Sequence, residues 1–200
     1  MDFLAIPTMY QGQLFRSRLE ARWASFFDSL GWEWEYEPID LKGYIPDFVL
    51  RFHKPLLVEV KPDMELEGLR KHTSKIDLSG WEGEALIVGS CLFTVEEGPQ
   101  AVPLSGSEKS NTACLGLTLD IALAKENNSR GPWLWNEATF QHCTHCKKFS
   151  FIDSNLSWHC RTSGCYDGDS YCDPLTVSEA TKLWRQASNA AQWRPGRGAV

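Results

Sequence analysis

Residues 45–62 constrain this chain more than any other stretch. They read Ile-Pro-Asp-Phe-Val-Leu-Arg-Phe-His-Lys-Pro-Leu-Leu-Val-Glu-Val-Lys-Pro. Two short apolar runs flank a Phe52-His53-Lys54-Pro55 turn signal, which is the pattern of a β-hairpin. Side chains alternate along a strand, so Glu59 and Lys61 share one face while Val58 and Val60 pack on the other. Asp47 opens the first run. Charge on a buried strand is costly unless something neutralises it. A hard divalent cation can do so, because it takes oxygen ligands such as Asp47 and Glu59. Lys61 then stands beside the water to be activated.

The elements around the hairpin follow from periodicity. Residues 13–30 carry Phe15, Leu19, Trp23, Phe26 and Leu30 on one helical stripe, with Gly31 as a C-terminal stop. Residues 32–37 alternate strictly, Trp-Glu-Trp-Glu-Tyr-Glu, and read as a half-buried strand whose acids form a solvated face. Residues 64–78 predict a second helix with Leu66, Leu69 and Ile76 inward. Lys71, His72 and Lys75 lie outside that apolar set and read as solubilising surface or as phosphate contacts. The apolar run 85–89 suits a buried strand, and the strand–helix–strand order from Leu56 to Gly89 predicts a crossover onto a parallel neighbour.

Pro46-Asp47, eleven residues, then Glu59-Val60-Lys61 resembles the PD-(D/E)xK motif of the restriction-endonuclease-like nuclease superfamily. The resemblance covers residues 13–90 in both motif and element order, and implies an α/β fold with an αβββαβ core and a mixed sheet. It also implies a Mg²⁺-dependent (or Mn²⁺-dependent) nuclease that hydrolyses DNA. Asp47, Glu59 and the carbonyl of Val60 would hold the cation, and Lys61 would orient water or stabilise the transition state. The choice of DNA over RNA comes from the resemblance. Glu20 reads in two ways: as the partner of Arg16 at i, i+4 on a solvated face, or as the third acidic residue that such nucleases often carry on the helix before the sheet. Compact size makes the chain similar to nucleases of phages or mobile elements, junction resolvases included. The competing reading is a catalytically silent nuclease fold kept as a nucleic-acid- or protein-binding module and stabilised by zinc.

The cysteines add a second chemistry. Cys143 and Cys146 form a CxxC knuckle, a spacing that brings two thiolates to one tetrahedral Zn²⁺. Thirteen residues later Cys160 and Cys165 form a wider pair. The segments 147–152 and 156–159 between them resemble the two strands of a zinc ribbon. Cys165 is the expected fourth ligand, with Cys172, His142, His145 and His159 as substitutes. Four thiolates close the shell, so this site is expected to be structural. A disulfide pairing stays open outside a reducing compartment, and partner-protein binding through this lobe is a further expectation. Single Cys91 and Cys114 read as small buried residues.

Length of 200 residues, 42% hydrophobic content and nine Trp describe a core-forming chain. It divides into a nuclease-like domain over 1–138, a zinc-ribbon-like lobe over 139–174, and a helix and tail over 175–200. A net charge of −6 does not advertise nucleic acid, though a local basic groove suffices for a nuclease. The first twelve residues read as a leader without a signal-peptide pattern, and no membrane partner is expected. The expected location is the cytoplasm (a host's, if phage-encoded), where clustered cysteines point to metal. Residues 105–111 read as a loop, and residues 113–125 as a strand or a poor helix. The tail carries a partial stripe of Val177, Ala180, Leu183 and Trp184. Its bases Lys182, Arg185, Arg194 and Arg197, interleaved with Trp184 and Trp193, read as phosphate contacts or as a solvated, fraying end.

Overall fold

Ser17 and Gly31 delimit the first helix of this chain. The Ser17 hydroxyl accepts the Glu20 amide (3.1 Å) at the N-terminus. At the other end the Trp32 amide donates to the Phe27 carbonyl (2.9 Å) and the Gly31 amide to Asp28 (3.0 Å), with Gly31 at φ +68°. That pair of bonds is a Schellman stop, and only glycine takes its left-handed position without strain. The computed structural model describes residues 5–95, 112–121, 124, 134–153, 159–166 and 172–192.

The elements in order are β1 (Thr8–Tyr10), β2 (Gln13–Phe15), α1 (Arg18–Ser29), β3 (Trp34–Tyr36), β4 (Phe48–Leu50) and β5 (Leu56–Val60). There follow α2 (Leu66–Leu69), α3 (Thr73–Leu78), β6 (Glu84–Val95), β7 (Thr112–Asp120), β8 (Asn136–Cys143), β9 (Phe149–Asp153), β10 (Cys172–Pro174) and α4 (Val177–Ala190). Strands β3 to β10 form one mixed sheet in the order β10-β8-β7-β6-β5-β4-β3, with β9 also paired to β8. The β5–β6 junction is parallel, and the other junctions of the sheet among the described residues are antiparallel. This is a mixed α/β architecture whose sheet is mostly antiparallel.

Each face of the sheet has its own core. On one, α1 and α4 lay Trp23, Phe26, Phe27, Ala180 and Ala187 against Leu50, Leu56, Val58, Val60, Leu86 and Phe140. On the other, Leu69 and Ile76 cover Leu57, Ala85, Ile87 and Leu117. Successive residues of β5 therefore point to opposite cores, and the whole strand is buried. Trp23 anchors the first core: it is fully buried, its indole N–H donates to the Gly89 carbonyl (2.8 Å), and Phe26, Phe27 and Trp184 ring it.

Several expectations need correction. Residues 8–15 form the hairpin β1–β2, turned by Gln11 and Gly12 at positive φ, so Gln13–Phe15 is a strand and the helix begins only at Arg18. The helix expected over 64–78 is two short pieces joined by a 3-10 turn at Arg70–His72. Within that break Thr73 Oγ1 bonds the Arg70 carbonyl (2.9 Å), and Asp63 captures Lys71 (2.6 Å) and His72 (2.8 Å). The strand expected over 85–89 continues to Val95, with a register shift between Val88 and Phe93. Of residues 113–125, open between strand and helix, 113–120 belong to strand β7, while Ile121 and Ala124 are helical. Cys114 is buried, as expected, but Cys91 is only partly so.

The boundary expected between residues 138 and 139 falls inside β8. Of the two ribbon strands, the first is β9, paired with β8 in the main sheet, and the second falls largely on residues outside those described. The tail helix is α4, opened by a capping box between Thr176 and Glu179. Trp193, Arg194, Arg197 and the loop at 105–111 lie outside the described residues. Among the described residues no helix is long and apolar enough to cross a membrane.

Trp23→Ala should cost about 3–5 kcal/mol, measured by urea denaturation, because it removes a fully buried indole and strands the Gly89 carbonyl. A loss below about 1 kcal/mol contradicts this account of the core.

Candidate functional site

The β4–β5 register sets Phe48 opposite Val58, which brings Asp47 and Glu59 face to face at the open end of the hairpin. Both carboxylates are buried, at 4% and 5% exposure. Asp47 Oδ2 accepts the Val60 amide (2.7 Å), so the side chain takes a donor of the neighbouring strand for itself. Its Oδ1 accepts from Arg16 Nη2 (2.6 Å). Glu59 Oε2 accepts the Tyr44 hydroxyl (2.6 Å), and Glu59 Oε1 pairs with Lys61 Nζ. Two carboxylates facing each other in a dry place repel, and here each is held by its own cation.

Asp47, Glu59 and Lys61 line one open cleft of about 430 Å³, together with Arg16, Asp40, Gly43, Tyr44, Ile45 and Lys75. Six members of that wall are not assigned there from sequence, Arg16, Tyr44 and Lys75 among them. The Arg16–Glu20 pairing at i, i+4 is one of the two readings of Glu20; in the structure Arg16 precedes α1 and pairs with Asp47 and Glu37. Tyr44 comes from the turn that Leu41 and Tyr44 close on each other, with Gly43 at φ +67°. Lys75, one of three bases outside the apolar set of its helix, reaches the cleft wall from α3. None of these carries a local signal, because each arrives through long-range packing.

Glu20 sits behind this wall. It is buried, and its Oε2 accepts the Tyr36 hydroxyl (2.6 Å), while that same hydroxyl accepts the Arg16 amide (3.1 Å). Its Oε1 accepts from Ser17 (2.7 Å). Glu20 therefore communicates with Asp47 through Arg16 and through its charge. Burial, and next the hydrogen bond to Glu20, push the Tyr36 phenol up to about 12. Burial, and then the Glu59 charge, raise Tyr44 further still.

All four oxygens of the two buried carboxylates are engaged: those of Asp47 by Arg16 and the Val60 amide, those of Glu59 by Tyr44 and Lys61. The Val60 amide is committed to Asp47, and its carbonyl is the remaining oxygen that the family resemblance implies.

The cysteines form a second centre. The sulfurs of Cys143, Cys146, Cys160 and Cys165 all lie within 4.8 Å of one another, so the four could hold one metal ion, consistent with structural zinc. Two tight turns present them: the Lys147 amide returns to the Cys143 carbonyl (2.9 Å), with Lys147 at φ +61°, and the Gly164 amide to Cys160 (2.7 Å). Of the substitute ligands, His142 packs edge-on to Phe149 and His159 faces Glu84 at 3.6 Å. Cys172 is the neighbour that sequence left as a substitute. It lies opposite Cys143 in the β8–β10 register, and its hydrogen bond lowers the Cys160 thiol from its ordinary value.

Comparison with protein-family models, curated proteins and solved structures finds no match to this chain.

Asp47 has its carboxyl pushed up to about 7 from 3.8, by burial first and by the Glu59 charge next. The folded chain thus holds this proton more tightly than the unfolded chain. The stability it contributes is complete below pH about 4 and is lost as pH rises through about 7. Without divalent cation at the cleft, wild type should lose on the order of 1–2 kcal/mol relative to Asp47→Asn between about pH 5.5 and about pH 8, read from urea midpoints. A difference that grows in the wild type's favour contradicts the assignment.

Proposed function

We propose that this chain is a divalent-cation-dependent nuclease that hydrolyses DNA phosphodiester bonds. One observation carries the reading: Asp47 and Glu59 are buried opposite each other on adjacent strands, with Lys61 on the same strand face and all three at one cleft. The order α1, β3, β4, β5, α2–α3, β6 supports it, since a restriction-endonuclease-like core has the same sequence of helix, three strands, helix and strand. The choice of DNA as substrate rests on that family resemblance.

Mg²⁺ (or Mn²⁺), held by Asp47, Glu59 and the Val60 carbonyl, would supply Lewis acidity toward phosphate oxygens and lower the pKa of water. The chain's own groups do the rest. Val60 and Arg16 fix the two Asp47 oxygens, and Tyr44 fixes one oxygen of Glu59. Lys61 Nζ, held by Glu59, is aimed where negative charge grows on the phosphate or where an attacking water must be oriented. Glu20 acts at one remove, keeping Arg16 in place through Tyr36. Arg16, Lys61 and Lys75 offset the three acids Asp40, Asp47 and Glu59 of the cleft wall, in a chain that is acidic overall. The cysteine centre is structural zinc on this reading, and the protein works in a reducing cytoplasm.

The test is cleavage of single-stranded, double-stranded and branched DNA and of RNA, with Mg²⁺, with Mn²⁺ and with EDTA. Wild type should cut DNA only with added cation. Lys61→Ala should lose on the order of 100-fold or more in rate in protein shown to be folded, with a lowered unfolding midpoint because Glu59 loses its cation. Cutting that persists at the wild-type rate in folded Lys61→Ala contradicts the mechanism. A folded wild type that binds DNA and cuts nothing points to the silent binding module.

A further inference from the structure

Four residues separate Cys160 from Cys165, and three of them grip elements outside the cysteine centre. The Thr162 carbonyl accepts the amide of His53, at the tip of the β4–β5 hairpin (3.1 Å). Gly164, at φ +69°, lies so close to the His53 imidazole that a Cβ there would stand 2.7 Å from the ring. Arg161 is buried at 3% exposure, bonds Glu84 at the start of β6 (2.7 Å) and lies over the Phe151 ring. The loop is tied down in turn: the Ser150 hydroxyl accepts the Arg161 amide (2.8 Å), and Thr162 Oγ1 donates to the Phe149 carbonyl (2.7 Å). The hairpin tip meets it with Phe52, edge-on to Trp32, whose indole donates to that same Phe149 carbonyl (3.0 Å).

We infer that the loop between Cys160 and Cys165 is a clamp on the closed end of the hairpin, so that metal occupancy at the four cysteines sets how rigidly Asp47 and Glu59 are presented at its open end. The catalytic part of this inference rests on the nuclease reading, and the clamp itself does not. The physical reason is geometric. Cys160 and Cys165 are the two ends of the gripping segment, and a metal ion that holds both sulfurs fixes the span of the loop between them. Without its metal the loop keeps the Arg161–Glu84 pair and its hydrogen bonds, but its two ends are no longer held through their sulfurs, and the Thr162 carbonyl is less firmly placed for His53. Short strands transmit that freedom: β4 has three residues, and Asp47 immediately precedes it.

The clamp is a positioning device and touches no substrate. Its signature is therefore local dynamics. Amide hydrogen exchange would be compared between protein freed of metal by dialysis against a chelator and the same protein reloaded with equimolar Zn²⁺, both without Mg²⁺. Removal of Zn²⁺ should speed exchange at His53 at least tenfold, with α1 amides unchanged, and Cys165→Ser should give the same pattern. Unchanged exchange at His53 overturns the clamp. Exchange that rises equally in α1 also overturns it, because zinc then stabilises the whole chain without singling out the hairpin. Cleavage is measured in parallel with Mg²⁺ restored, where a fall in kcat at unaltered KM is expected. A chain that passes the exchange test and cuts nothing removes the catalytic reading and leaves the clamp standing.

Discussion

Two carboxylates buried opposite each other on adjacent strands are the interaction on which the rest of this molecule depends. Asp47 and Glu59 cannot both be charged in a dry strand pair without compensation, and removing one partner of such a set leaves an uncompensated buried charge. The compensation comes from four directions. Arg16 arrives from the link between β2 and α1, Tyr44 from the turn before β4, and Lys61 from the end of β5, while the Val60 amide serves from within the sheet. Each supplier needs its own element held in place. The N-terminal hairpin and the helix after it are anchored by Phe15 and Trp23 in the core, and that anchoring fixes the root of Arg16. Tyr36 and Glu20 then restrain its backbone. On the proposed function, a divalent cation would take the place of part of this compensation.

The sheet explains why the pair faces a cleft. The parallel junction of β5 with β6 requires a crossover, and the broken helix α2–α3 provides it over the Leu57 and Ile87 face. Glu59 points to that face, since it alternates with Val58 and Val60, which belong to the α1–α4 side. Because α2 and α3 are short, the helical cover stops before it seals the end of the hairpin, and Lys75 reaches the cleft wall from it. On the opposite face Trp23, Phe26 and Trp184 interlock their rings between α1 and α4. At the far end of the hairpin the cysteine loop takes over as the restraint. The motif is therefore held at its tip by one centre and displayed at its mouth by the other.

Much of this was legible in the residues. The hairpin, its alternation and the parallel crossover follow from short-range pattern, because period-two burial and a Pro-bounded turn are local properties. The Gly31 stop was legible for the same reason, and CxxC spacing located the thiolate centre and Cys165 within it. What pattern could not supply was contact between distant segments. Residues 8–15 look featureless until Phe15 is seen in the core, and a helical stripe that includes Phe15 is as good a match to the sequence as the strand that forms. Arg16 has Glu20 four residues on, yet meets Asp47 because Ser17 caps the helix one residue later and turns Arg16 outward from it. Asp63 breaks the second helix by claiming Lys71 and His72, a choice no periodicity count contains. The cysteine strands join the main sheet, since β7 offers β8 an edge that a free-standing ribbon would lack.

The central claim is that Asp47 and Glu59 form one binding site for a hard divalent cation. The most direct measurement is Mn²⁺ binding to the zinc-loaded protein by paramagnetic resonance, since thiolates select soft metals and carboxylates hard ones. Wild type should bind Mn²⁺ at the cleft, and Asp47→Asn and Glu59→Gln should each weaken that binding at least tenfold while zinc content stays unchanged. Equal Mn²⁺ affinity in all three proteins would contradict the account and leave the two carboxylates to their partners within the chain, Arg16, Val60, Tyr44 and Lys61.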